Sequence, residues 1–254
     1  MMSAESTERP VRRGIVRRAL WALGIGLGLL FLMNLFFPDL DFSMEDRVGL
    51  IRIEGVIVDA QSTIGELKRF ADNPSVKAIV LRIDSPGGGV VPSQEIHDAV
   101  QRVRNKSNKV VIASMGTVAA SGGYYIAVAT DRIMANSGTL TGSIGVIMEM
   151  ANVEGLLKKI GVEGVVIKSG KFKDVGSPLR KMSDEEQALL QSVMDDVHQQ
   201  FIEAVAEGRG LDVAAVQALA DGRIFTGRQA KVAKLVDELG DLEAAIQLAA
   251  DVAG

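Results

Sequence analysis

Ser121 stands alone among very small residues, in the run Ala119-Ala120-Ser121-Gly122-Gly123, and the bulky pair Tyr124-Tyr125 follows at once. Small neighbours let other backbone approach a hydroxyl, which is how an exposed nucleophile is presented; the same residues also suit a helix packed tightly on a sheet. If a helix starts at Ser121, the Gly122 N–H lies beside the hydroxyl. A second unusual stretch, Asp84-Ser85-Pro86-Gly87-Gly88-Gly89-Val90, sets three glycines in a row. Such backbone is free to point N–H groups at a developing oxyanion, although a plain glycine-rich turn would read the same way. It is not a phosphate loop, because neither G-x-x-x-x-G-K-[ST] nor G-x-G-x-x-G is present.

A serine nucleophile needs a base. The two histidines, His97 and His198, sit in the charged helical segments EIHDAV and DDVHQQ, where a solvated face is the ordinary reading. Position 119 is alanine, so the G-x-S-x-G elbow is missing and a Ser-His-Asp triad is disfavoured. No histidines are paired at metal-ligand spacing, and the lack of cysteine excludes thiol catalysis, disulfides and thiolate metal sites. The stretch KSGKFKDVGSP (168–178) offers another kind of base, with Lys171 and Lys173 on either side of Phe172. A lysine serves as a base once it is desolvated.

These candidates must be held by a sheet. Residues 48–58, 76–84, 109–116, 132–135 and 164–170 are β-branched runs of strand length, and amphipathic segments at 64–72 and 92–105 lie between some of them. That alternation predicts crossover units and a largely parallel sheet, with chemistry beyond the carboxyl ends of the strands. From Ser183 the pattern turns helical: Ser183-x-x-Glu186 and Thr226-x-x-Gln229 read as capping boxes, and Gly240 as a helix C-cap. A net charge of -4 without a clustered basic face argues against a nucleic-acid partner.

Residues 19–37, ALWALGIGLGLLFLMNLFF, carry no charge and as a helix approach the ~30 Å of a bilayer core. Arg9, Arg12, Arg13, Arg17 and Arg18 precede them, while Asp39 and Asp41 follow. The positive-inside rule then predicts a cytoplasmic basic tail (1–18), a single-pass membrane anchor (19–37), a linker (38–47) and an extracytoplasmic domain (48–254). The run is longer than a usual signal-peptide core, and no A-x-A-like cleavage site follows Phe37. With 47% hydrophobic residues, the roughly 210 residues beyond the anchor can bury the core of one α/β domain.

The stretches DSPGGGV, AASGGYYIA, TGSIGV, SGKFKD.GSP.R.M..EE and DGRIFTGRQAKVAKLVDELG follow in order after residue 48. Together they resemble the signal peptide peptidase A group of membrane-anchored serine peptidases, in its short form. The resemblance implies an α/β fold similar to Clp protease and crotonase, a superhelix of β-β-α units with a helical C-terminal region. It implies a Ser-Lys dyad in which Ser121 is the nucleophile and Lys173, directly before Asp174, the base; Lys171 does not match. It also implies oxyanion-hole donors at Gly88, within Gly87 to Gly89, and at Gly122. Ser143 of TGSIG falls on a hydroxyl position that would orient the lysine amine, and a plain turn suits that residue equally well. No cofactor and no metal are implied.

By the same resemblance, the substrates are remnant signal peptides and similar apolar peptides at the outer face of the cytoplasmic membrane. A chain with one such cassette would complete its site in a ring-shaped homo-oligomer. The competing readings are a stomatin-cleaving membrane Ser-Lys peptidase, a crotonase-like acyl-CoA enzyme and a non-catalytic binding module.

Overall fold

The computed structural model describes residues 17, 18, 20–26, 28, 46–107 and 109–254, and the chain divides into a unit of residues 1–45 and one of residues 46–254. In the first unit the described residues are helical. The rest of the expected 19–37 anchor lies outside the described residues, as does most of the expected linker. Among the described residues no helix is long and apolar enough to cross a membrane.

The second unit is α/β. It begins with β1 (Arg47–Ile57), α1 (Gln61–Asp72), β2 (Val76–Gly88), α2 (Val90–Ser107), β3 (Val110–Ala120), α3 (Gly122–Ala127), β4 (Arg132–Ala135) and β5 (Leu140–Gly142). Then come α4 (Glu154–Lys159), α5 (Asp184–Arg209), α6 (Val213–Gln217), β6 (Ile224–Thr226), α7 (Gly227–Val232), β7 (Glu238–Leu239) and α8 (Leu242–Ala253). The sheet is mixed. Its spine β1-β2-β3-β4-β7 is parallel; β5 pairs parallel with the end of β3 and antiparallel with β6.

The period-2 alternation of β2 explains the layering. Ile79, Leu81 and Ile83 enter the main core with residues of α1, α2, α3 and α5, while Ala78 and Val80 join Ile112, Met134, Ala245 and Ala249 in a second cluster beneath α8. The helix α5 starts at a complete capping box: the Glu186 N–H donates to Ser183 Oγ at 3.3 Å and the Ser183 N–H to Glu186 Oε2 at 2.9 Å. It stops at Gly210, whose φ of 61° suits a left-handed cap. Thr226 and Gln229 form the second capping box, on α7.

Three expectations need correction. Residues 164–170 form no strand, because no partner strand takes up their hydrogen bonds; Val165 and Ile167 are 83% and 97% exposed. Gly240 ends no helix. It sits just before Asp241, the N-cap of α8, and a side chain there would meet the Met134 sulfur at 2.6 Å. His97 is buried rather than solvated, its ring 4.9 Å from that of Tyr125.

The end of α5 is tied to the sheet by a partly buried ion pair. Arg209 donates to both carboxylate oxygens of Asp237 at 2.9 and 2.7 Å, and Asp237 also accepts the Ile133 N–H at 2.7 Å. Burial pushes the Asp237 carboxyl up, but the bonds from Arg209 and Ile133 outweigh it, and its pKa falls below the usual carboxylate value. A lowered folded-state pKa means that the pair stabilises the fold above about pH 4 and loses that contribution as the pH drops through the carboxylate range. Arg209→Met leaves the carboxylate uncompensated, so urea unfolding at pH 7 should show a loss of about 3 kcal/mol that shrinks in acid. A loss independent of pH would contradict this account of the pair.

Candidate active site

Glycine at 87, 88 and 122 is imposed by backbone proximity. A Cβ at Gly87 would stand 2.7 Å from the Gly122 nitrogen and 2.8 Å from Ser121 Cβ, and the residue has a φ of 103°. At Gly88 it would meet the Ile57 carbonyl oxygen at 2.2 Å; at Gly122 it would meet Ser93 Oγ at 2.3 Å and the Gly88 nitrogen at 3.3 Å. The ends of β2 and β3 therefore press together, and Gly88 and Gly122 line one cavity with Ser121. The expected glycine loop is in fact strand as far as Gly88, paired with β1 at Ile57. The ladder there uses Gly89, whose N–H donates to the Ile57 carbonyl at 2.8 Å.

Ser121 occupies a strained turn between β3 and α3, with φ 51° and ψ -121°. A positive φ is uncommon for a residue with a side chain, at a cost on the order of 1–3 kcal/mol, and it persists only where the surroundings enforce it. Here the Ser121 N–H donates to the Gly142 carbonyl of β5 at 2.9 Å, and its carbonyl accepts the Tyr125 N–H at 2.8 Å. Ser121 is the N-cap of α3, yet its hydroxyl makes no cap hydrogen bond and is left for chemistry. The tyrosines that follow anchor the turn. Tyr124 is fully buried, its hydroxyl donates to the Leu235 carbonyl at 2.8 Å, and burial drives its pKa far above the ordinary value. The Tyr125 ring packs 5.0 Å from that of Phe201. Ser143 is a second strained serine, with φ 50°, and its N–H donates to the Arg223 carbonyl at 2.9 Å.

Two cavities meet at Ser121, Gly88, Val90, Gly145 and Val146. Gly122, Tyr125, Val197 and Phe201 extend the smaller, largely apolar one. Ser143, His198, Asp221 and Gly222 extend the larger, which encloses about 500 Å³. The structure thus brings Ser121, Gly88, Gly122 and Ser143 together. It does not bring Lys173 to them: Lys173 is exposed on the 168–181 loop and lines neither cavity. Lys171, the other lysine beside Phe172, is engaged in an ion pair with Glu185.

Sequence reasoning missed His198, which lines the larger cavity with a buried Nε2 that has no hydrogen-bond partner among the described residues. Its charged neighbours hid it. The signal was its spacing from Phe201, Ile202 and Val205, all buried, at i+3, i+4 and i+7.

A serine on a strained strand-to-helix turn, with Gly88 and Gly122 beside it in one cavity and a second cavity sharing its lining, suits acyl transfer to a hydroxyl. The family model for peptidase family S49 matches residues 103–254, and that for Clp protease matches residues 50–144. A protein of Synechocystis sp. whose name describes it as a protease is 46% identical over 213 residues, which are 84% of this chain and 76% of that one. An Enterococcus faecium protein named for signal peptide peptidase SppA is 41% identical over 213 residues, 79% of this chain and 62% of its own length. Protease 4 of Haemophilus influenzae is 35% identical over 219 residues, 82% of this chain but 35% of that longer protein. The chain belongs to peptidase family S49 and is an SppA-like serine peptidase with a Clp protease-like α/β domain.

Because a methyl group at Gly88 collides with the Ile57 carbonyl oxygen, Gly88→Ala must displace the Gly88 N–H. The expected result is a fall in kcat of about 10² to 10³-fold with KM little changed, as for loss of an oxyanion-hole donor. Steady-state kinetics on a peptide substrate measure it, and unchanged kcat would remove Gly88 from the site.

Proposed function

We propose that the chain is a membrane-anchored serine endopeptidase in which Ser121 attacks and Lys173 is the base, the lysine coming from a neighbouring copy in a ring. One observation carries the reading: Ser121 sits strained and unbonded in a cleft beside Gly88 and Gly122, while the family's lysine stands exposed outside that cleft. A free lysine is almost wholly protonated at neutral pH, and a base needs a pKa near 7 to 8. Lys173 is exposed on its own chain, and entry into a neighbour's cleft would supply the burial that makes a lysine a base. Support for such contacts comes from apolar side chains left open to solvent, among them Ile147, Ile160, Val165 and Ile167. The domain would repeat β-β-α units as a superhelix, with a helical C-terminal region.

The reaction follows from these groups. Ser121 Oγ bonds to the carbonyl carbon of a peptide as its proton passes to the neutral Lys173 amine, and the oxyanion takes hydrogen bonds from the Gly88 and Gly122 N–H groups. The C–N bond then breaks, with the lysine proton going to the leaving amine, and water repeats the sequence on the acyl-enzyme. Ser143, in the same cavity as Ser121, would orient the amine. No cofactor takes part.

The substrates we assign are remnant signal peptides and similar apolar peptides. The apolar walls beside Ser121, formed by Val90, Val146, Val197 and Phe201, favour such sequences, and the Enterococcus faecium relative is named for that activity. The uncharged 19–37 segment would hold residues 1–18 in the cytoplasm and the catalytic domain at the outer face of the cytoplasmic membrane.

Incubation of isolated signal peptides with the full chain tests this reading. The wild type should cleave them, Ser121→Ala and Lys173→Ala should not, and Lys171→Ala should retain most activity because Lys171 serves an ion pair with Glu185. Cleavage by Ser121→Ala, or an inactive Lys171→Ala beside an active Lys173→Ala, would overturn it.

A further inference from the structure

The loop that carries Lys173 is braced by charge. The Asp174 carboxylate accepts from Lys168 Nζ at 2.5 Å and Arg180 Nε at 2.8 Å, and its backbone carbonyl accepts from Arg180 Nη2 at 3.3 Å. Arg180 continues to Glu186 with both terminal nitrogens, at 2.8 and 2.5 Å, and Glu186 is the capping-box acid of α5. Two strands of evidence mark this brace as more than a surface ion pair: the side chains of Asp174 and Glu186 are only 11% and 6% exposed, and one guanidinium holds both. Hydrogen bonds from Arg180 first and Lys168 next hold the Asp174 carboxyl far below the usual range; Glu186 is held at about 2 by Arg180 and then the Ser183 N–H.

Lys173 adjoins this carboxylate in sequence without bonding to it, and its amine makes no hydrogen bond or ion pair among the described residues. A carboxylate within a few ångströms favours the protonated form of a lysine, whereas a base has to be neutral. We infer that Arg180 and Lys168 hold Asp174 away from Lys173, so that the base is presented unpaired and Arg180 acts as a positioning residue for catalysis. The inference rests on the Ser121–Lys173 reading above. Glu185 is engaged by Lys171, Glu186 by Arg180, and Glu154 by Lys158 and the Lys181 N–H, while Asp184 on the first turn of α5 is exposed and makes no ion pair among the described residues. Across the proposed interface the cleft of Ser121 adds His198 and Asp221, and Asp221 is paired with Arg223. Asp174, next to Lys173 in the chain, is the acid whose release would alter Lys173 most directly.

The test is the pH dependence of kcat/KM for the full chain. In Arg180→Leu the freed Asp174 pairs with Lys173, and the ascending limb should move up by about one pH unit, a roughly tenfold loss at pH 7. Lys168→Met should move it less, in the same direction. Adding Asp174→Asn to either variant should return the limb to its wild-type position. A brace with a purely structural role lowers the rate at every pH, moves no limb and is not relieved by Asp174→Asn. Unmoved limbs in Arg180→Leu and Lys168→Met would overturn the inference; if Arg180→Leu fails to fold, Lys168→Met with and without Asp174→Asn decides it. Lys173→Ala separates the two levels. An active Lys173→Ala removes the dyad itself, while an inactive one beside unmoved limbs removes only the role of Arg180.

Discussion

A side chain at Gly88 would stand 2.2 Å from the Ile57 carbonyl oxygen, and one at Gly87 would stand 2.7 Å from the Gly122 nitrogen. Three stretches of backbone, the ends of β1 and β2 and the turn after β3, thus converge at a distance that excludes even a methyl group. The rest of the site depends on that convergence. It sets Gly88 and Gly122 in a cavity that Ser121 lines, and it leaves the serine a backbone conformation that side chains rarely adopt. The strain is held from two directions: the Gly142 carbonyl of β5 bonds the Ser121 N–H from the sheet, and the buried tyrosine pins α3 to the core through Leu235.

Ser121 and Lys173 are held by different physics. Ser121 directly follows β3 and is tied to β5 through its N–H, so the sheet's ladder and close packing limit its movement. Lys173 lies on a loop without ladder partners, braced by Lys168, Asp174, Arg180 and Glu186 and seated on the first turn of α5. In the shared-site reading proposed above, these two halves meet across an interface between copies, and the exposure of Lys173 on its own chain agrees with that reading.

Much of this was legible in the sequence, for identifiable reasons. β4 matched residue for residue, and both capping boxes were found, because a short β-branched run and a Ser-x-x-Glu or Thr-x-x-Gln spacing are local signals. The glycines of 87–89 and the serine at 121 stood out because close backbone contact leaves few residue types to choose from. What was not legible depends on contacts between distant segments. β2 and β3 run four residues past the expected ends because each pairs with a neighbour there, and 164–170 fails as a strand because none does. His97 and His198 looked solvated among charged neighbours, yet His97 packs on the Tyr125 ring and His198 lines the larger cavity at Ser121. The brace from Asp174 to Glu186 was visible only as a motif, since two ion pairs each six residues apart through Arg180 depend on how the loop folds back on α5.

The central claim is that the serine of one chain works with the lysine of the next, and a mixing experiment tests it most directly. Inactive Ser121→Ala and inactive Lys173→Ala subunits are dissociated, combined in equal amounts and reassembled, and their peptidase activity is measured beside native evidence of mixed oligomers. If each interface joins one serine to one lysine, random assembly pairs intact residues at roughly a quarter of the interfaces, and activity should return near that fraction of wild type. Mixed oligomers that stay inactive would contradict the account, because a dyad closed within one chain cannot be restored by any mixture.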